Sequence, residues 1–266
     1  MAVDARSTSG RFGEELAWHL EPFHLPDRGL RAVSASLYES PDERANWRFV
    51  ADTTADLSTL WGALDYALRD IHQMAPKRSR DFLSIHAGAA TRDGGAVIIP
   101  AGMDVGKSSI TAALVQRGFG YLSDEVAAID PMSGRAYPFP KRMWLDEATL
   151  RYFPGLAERL DDRRELTAQL DRRFVRPEDV EGSVGREAPV RWIVFPTTDR
   201  EGPPRLEPVA RAAAVELLAQ NAFNLYRYAE RGVVLLTRVV AGAQAFELSG
   251  GTPPERAELI RDRFQD

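Results

Sequence analysis

The run Ala101-Gly-Met-Asp-Val-Gly-Lys-Ser108, followed by Ser109, contains the residue types that can grip a phosphate chain. Gly102 and Gly106 let the backbone approach closely and turn its N–H groups inward toward oxygen atoms. Lys107 would set a point charge on the β- and γ-phosphates, and the Ser108 hydroxyl would ligate magnesium. Met103, Asp104, Val105 and Ser109 complete the stretch expected to contact a nucleotide. The full phosphate-loop pattern begins with glycine, but this chain has Ala101 there, which fits only if that residue keeps a negative φ. A match loosened in this way arises by chance in about two of every hundred chains of this length, so the flanking pattern must carry part of the argument.

Phosphoryl transfer also calls for a carboxylate at the metal and often a second near the incoming hydroxyl. Asp124-Glu125 lies one helix beyond the loop, on a stretch that reads as a strand. Neighbours on a regular strand point to opposite faces, so only a broken pleat would turn both acids toward one cleft. Asp104, inside the loop, could also touch metal or substrate, although an exposed loop acid is the commoner state.

The elements around these residues follow from local pattern. Phe82–His86 reads as a short apolar strand, Arg92-Asp-Gly-Gly95 as a hairpin turn, and Ala96–Ile99 as a strand buried on both faces. After the loop, Ser109–Arg117 reads as a helix closed by Gly118. Tyr121–Ile129 reads as one strand, turned by Asp130-Pro-Met-Ser-Gly134. Farther on, Val190–Phe195 reads as a strand, Arg211–Tyr228 as a helix, Gln244–Leu248 as a strand and Pro253–Ile260 as a Pro-started helix. Residues 155–190 are dense in charge and read as a solvated segment or, more sharply, an active-site flap. Toward the N-terminus, residues 1–10 read as a frayed end, residues 18–50 as short strands with alternation over Leu30–Leu37, and Asp56–Met74 as an amphipathic helix. Alternation of strand and helix predicts an α/β core over 81–266, with 1–80 as an N-terminal extension.

Composition narrows the partners. At 266 residues, with a net charge of -5, the chain lacks the basic surplus that bulk nucleic-acid binding requires. No 18-residue apolar run is present to span a bilayer. With no cysteine, disulfides and thiolate sites are ruled out, and four scattered histidines do not read as a zinc site. The N-terminal residues carry no apolar signal core, so a cytoplasmic home is the expectation.

Taken together, Ser84–Gly88, Ala96–Leu114, Tyr121–Glu125 and Tyr137–Lys141 resemble the HPr kinase/phosphorylase family. They are most similar to its smaller relatives from peptide natural-product gene clusters, including lasso-peptide kinases. Ile193–Pro196, Arg205–Pro208 and Gln220–Asn224 resemble those relatives more loosely. The resemblance implies a P-loop fold shared with ATP-type phosphoenolpyruvate carboxykinases, preceded by a short α+β extension. It implies ATP and magnesium as cofactors, and as acceptor a hydroxyl, on a serine of a peptide or protein or on a small-molecule alcohol. Homo-oligomers occur in the family. By the same resemblance His86 lies near the active site, Asp124 is the general base and Glu125 is associated with metal. Aligned on the carboxykinase acids instead, Asp124 is the metal ligand. The segment ending at Lys141 could bring Lys141 or Arg142 to the phosphates, or be a plain turn. The Glu-Ile-Arg-Gly-type strand of true HPr kinases is absent from this chain.

Overall fold

Ala96 to Ile99 are apolar without interruption because the strand they form is covered on both faces. In the computed structural model, which describes residues 3–7, 9–23, 34–39, 47–50, 54–57, 60–160 and 172–264, every residue of that strand is buried. The chain divides between Arg78 and Ser79 into two compact units.

The first unit contains a four-stranded sheet in the order β1 (Val3–Ser7), β2 (Ser34–Glu39), β3 (Trp47–Val50), β4 (Thr54–Leu57), in which β1–β2 is parallel and the other pairs antiparallel. The expected frayed end is therefore a strand at Val3–Ser7. Ser9 then caps a helix that the sequence reading missed, α1 (Gly10–Leu20), by accepting the Phe12 N–H. The expected helix at Asp56–Met74 is α2 (Leu60–Arg78), displaced because Thr54–Leu57 pairs with β3. Its predicted apolar face holds at Leu64, Ala67, Leu68 and Ile71, all buried. Residues 30–33 of the expected alternating run lie outside the described residues.

The second unit is built on an eight-stranded mixed sheet in the order β13-β14-β12-β6-β5-β8-β9, with β7 paired to β5. Its strands are β5 (Leu83–Arg92), β6 (Gly95–Pro100), β7 (Gly120–Ser123), β8 (Val126–Ile129), β9 (Arg135–Tyr137), β12 (Ala188–Pro196), β13 (Arg205–Pro208) and β14 (Gln244–Ser249). A separate antiparallel pair joins β10 (Met143–Asp146) to β11 (Arg172–Val175). Only β6, β12 and β14 run parallel; the other pairings are antiparallel. The α/β reading therefore holds at the level of a mixed sheet with helices, whose order is mostly antiparallel. The hairpin is the reason: Arg92 pairs with Gly95 across Asp93 and Gly94, whose φ values of 49° and 77° suit a tight two-residue turn.

Three further readings change. The segment Arg211–Tyr228 is a helix only over Arg211–Gln220, followed by a short 3-10 turn at Leu225–Tyr228. Asn221 caps the helix, and beyond it Asn224 anchors the chain to the start of β5: its Oδ1 accepts the Ser84 N–H at 2.9 Å and its Nδ2 donates to Phe82 O at 2.8 Å and Ser79 O at 3.1 Å. Arg231–Ala241, for which the sequence reading names no element, is a helix. Leu236, Val239 and Val240 are its buried stripe. Within 155–190, residues 161–171 lie outside the described residues. The described remainder forms a short helix at Leu156–Arg159, β11, a 3-10 turn at Pro177–Val180 and the start of β12.

Two layers of core sandwich the sheet. One packs the helix α3 (Lys107–Gln116) and the C-terminal helix Pro253–Arg263 on one side. The other packs Arg211–Gln220 and Arg231–Ala241. Asn224 is fully buried and bridges the start of β5 to the second of these layers. Asn224→Ala strips three backbone groups of their partner and should cost about 2–4 kcal/mol, read as a lower urea midpoint with unchanged slope. A midpoint equal to the parent's would show that the bridge is dispensable.

Candidate active site

Strand β6 delivers the chain into the loop Ala101–Gly106, and α3 begins at Lys107. Gly106 is the N-cap, with φ 101° and ψ 22°, and Asp104 is also left-handed at φ 61°. Ala101 is buried and is not among the residues with positive φ, which explains why alanine is accommodated there. Gly102, Met103 and Asp104 form the exposed tip, and Val105, Gly106, Ser108 and Ser109 are partly buried. Beneath the helix start, β5 must pass very close. A Cβ on Gly88 would overlap Thr111 Oγ1 and stand 3.5 Å from Lys107 O, so glycine is the residue that fits.

Lys107 is buried and folds back on its own loop, donating from Nζ to Gly102 O at 2.6 Å. Burial lowers its pKa, against the opposing pull of Glu125, Asp124 and Asp104. Ser108 Oγ donates to Asp124 Oδ2 at 2.8 Å, which ties the last residue of the loop motif to the acid beyond the helix. Asp124 is 1% exposed and surrounded by donors. Lys141 Nζ stands 2.8 Å from Oδ1, and Trp144 N donates to Oδ2 at 3.4 Å. Tyr121 Oη lies 3.0 Å from Oδ1 and 2.7 Å from Lys141 O, so its one proton serves one of these acceptors at a time. Burial first, then the Asp124 charge, raises the Tyr121 pKa well above its ordinary value.

The stretch read as one strand over Tyr121–Ile129 is broken at the acids. Ser123 Oγ accepts the N–H groups of Glu125 at 3.2 Å and Val126 at 2.9 Å, replacing ladder partners with a side chain. The pairing of β5 shifts there, from Ser123 on β7 to Val126 on β8. The broken pleat separates the environments of the two acids. Asp124 is enclosed, whereas the Glu125 side chain is 40% exposed, with Oε1 3.5 Å from His86 Nε2. Burial pushes the Glu125 pKa up, but the His86 hydrogen bond and the charges of Lys141, His86 and Lys107 outweigh it and hold the group at about 2. His86 is held by its own N–H on Asn221 O at 2.7 Å and by its ring against Phe223.

The structure thus brings Lys107, Ser108, Asp124, Glu125 and His86 into one neighbourhood, and leaves Gly102, Met103 and Asp104 at the solvent-facing tip. The segment Pro138–Lys141 is more than a plain turn: it buries Lys141 against Asp124. Tyr121 had no role in the sequence reading, since a buried tyrosine on an apolar strand looks like core. Among the described residues, no group of three or more His, Asp or Glu could hold a metal ion by itself. One hydroxyl beside one buried carboxylate nonetheless fits magnesium, which is usually held by one or two carboxylates together with substrate phosphates.

No protein-family model matches this chain, and no curated protein matches it. Among solved structures, the Hpr(Ser) kinase/phosphatase from Coxiella burnetii is similar at a TM-score of 0.32 and 12% identity, over 68% of this chain and 90% of that one. A likeness that distant carries no assignment. No described helix is long and apolar enough to cross a membrane.

The low pKa of Glu125 has a consequence for folding. Its ordinary value is 4.5, so the stabilisation from its ion pairs is complete above 4.5 and is lost as pH falls toward 2. In Glu125→Gln, the decline in urea midpoint between pH 4.5 and pH 2.5 should be shallower than in the parent. Parallel declines would mean that the carboxylate gains nothing from its neighbours.

Proposed function

We propose that this chain is an ATP- and magnesium-dependent phosphotransferase of the HPr kinase-like P-loop type, acting on a hydroxyl group. A serine of a peptide or protein is the acceptor we favour over a small-molecule alcohol. The observation that carries the reading is the 2.8 Å hydrogen bond from Ser108 to Asp124, since P-loop nucleotide enzymes hold magnesium between these two residue types.

In this reading the loop amides and the N-terminal end of α3 cradle the phosphates, and Lys107 leaves Gly102 O to carry its charge to them. Ser108 and Asp124 hold the metal, which when bound neutralises charge on the transferred group. Of the two roles left open for Asp124, burial supports that of metal ligand, and we assign the base to Glu125. Asp124 is closed in by Ser108, Lys141, Tyr121 and Trp144, whereas Glu125 keeps an exposed side on which a hydroxyl can dock. Glu125 orients that hydroxyl and takes its proton as the acceptor oxygen bonds to the γ-phosphorus and the bond to the β–γ bridging oxygen breaks. His86 holds Glu125 in position. With a pKa of about 2, Glu125 is a weak base whose first task is to orient the hydroxyl. A loose transition state tolerates this, because positioning supplies most of the rate.

One observation favours a rival, a nucleotide-binding regulator without transfer: Lys141 already neutralises Asp124. Binding and transfer separate the two. Lys107→Ala should lose nucleotide binding. Glu125→Gln should keep ATP affinity but lower phosphotransfer to an acceptor peptide about 100-fold or more, in the range of general-base catalysis. Asp124→Asn should raise the magnesium concentration needed for half-maximal rate. Near-normal transfer by Glu125→Gln would overturn the base assignment. ATP binding without transfer to peptide, alcohol or water would establish the regulator.

A further inference from the structure

Arg200 lies in the connection Thr197–Pro204, which leaves the end of β12 and leads to β13. Because β12 runs parallel to β6, this connection emerges at the same sheet edge as the phosphate loop, the edge at which parallel strands gather ligands. The two meet. A Cβ on Gly106 would stand 3.4 Å from Arg200 Nη2, so the guanidinium rests against the last glycine of the loop.

The backbone around Arg200 is fixed by another arginine. Arg256, on the C-terminal helix, is 2% exposed and faces three carbonyls. It donates from Nε to Gly250 O at 2.6 Å, from Nη1 to Thr197 O at 3.2 Å, and from Nη2 to Asp199 O. Gly250 N donates to Asp199 O at 3.0 Å, Gly251 N to Gly202 O at 2.9 Å, and Glu201 N to Asp199 Oδ1 at 2.9 Å. A connection bonded on both sides of residue 200 presents that side chain from a rigid base.

The Arg200 guanidinium itself is exposed, and among the described residues it has no hydrogen-bond or ion-pair partner. It is also set near the Arg256 charge. Burial lowers the Arg256 pKa and Arg200 lowers it further, against the pull of Asp199. A cation held near another cation, without a bonded anion, against a loop shaped for phosphate makes sense once an anion binds between them and the solvent. Arginine's planar fork suits phosphate oxygens in pairs.

We propose that Arg200 is a phosphate-binding residue of the nucleotide site, contributing its guanidinium to the bound polyphosphate from the Gly106 side of the loop. This rests on the phosphotransferase reading and adds a ligand that the loop motif does not contain. The contact is made in the ground state, so it governs affinity for ATP and ADP alike. Arg256 is its positioning residue.

Calorimetric titration of the full chain with ATP and with ADP tests this, using the parent, Arg200→Ala, Arg200→Lys and Lys107→Ala, alongside ligand-free thermal unfolding. Arg200→Ala should raise both dissociation constants about tenfold, the loss of one charge-assisted contact. Arg200→Lys should recover only part of that, since lysine lacks the fork. The ligand-free Tm of Arg200→Ala should not fall, because the side chain is exposed and its removal relieves repulsion on Arg256. If Arg200→Ala binds both nucleotides within about twofold of the parent while Lys107→Ala does not bind, the role assigned to Arg200 is wrong and the loop reading stands. A weaker affinity accompanied by a lower Tm also overturns it, as a backbone defect. If the parent binds neither nucleotide, the loop reading fails first.

Discussion

A carboxylate that is 1% exposed must be surrounded by donors, and meeting the needs of Asp124 organises this molecule. Its partners come from three places in the chain: Ser108 at the start of α3, Tyr121 on β7 just before the acid, and Lys141 with Trp144 at the entry to β10 and on it. Each partner in turn fixes something else. Ser108 fixes the end of the phosphate loop relative to the sheet. Lys141 requires the Pro138–Lys141 segment to pass over the site. Tyr121 closes the far side by bonding either Asp124 or the Lys141 carbonyl.

The asymmetry of the two acids follows from a third residue. On an unbroken strand, one of Asp124 and Glu125 would face each side of the sheet. Ser123 accepts the next two free N–H groups and ends the ladder, so the acids occupy different environments within one cleft wall. One is enclosed and paired with a buried ammonium; the other reaches solvent beside His86. Two carboxylates with different surroundings are what a division between holding a metal and handling a proton requires.

Much of the fold around the loop was legible because its signals are local. The hairpin needed only Asp93-Gly94, β6 only a continuous apolar run, and α3 only its place after the loop and Gly118. Where local pattern misled, tertiary contact had overridden it. Arg231–Ala241 drew no element from its sequence, yet Leu236, Val239 and Val240 pack as a helical stripe on the sheet. Asn224 ties the chain beyond Gln220 to residues about 140 positions earlier, which no window of sequence can show. The candidate site divides in the same way. Lys107 and Ser108 were visible in a motif, and Asp124 and Glu125 in their distance from it. The Lys141–Asp124 pair, by contrast, exists only because β7 and the approach to β10 meet in space, and the enclosure of Asp124 depends on that meeting.

The tight passage of Gly88 beneath Thr111 means that these two positions share one fixed volume. Any side chain gained on the strand must be matched by atoms lost from the helix, or α3 lifts and takes Lys107 and Ser108 with it. Substitution histories at 88 and 111 should therefore be written jointly, as a compensated pair. The same shared volume gives an engineer a way to tilt the phosphate loop without altering any residue in it.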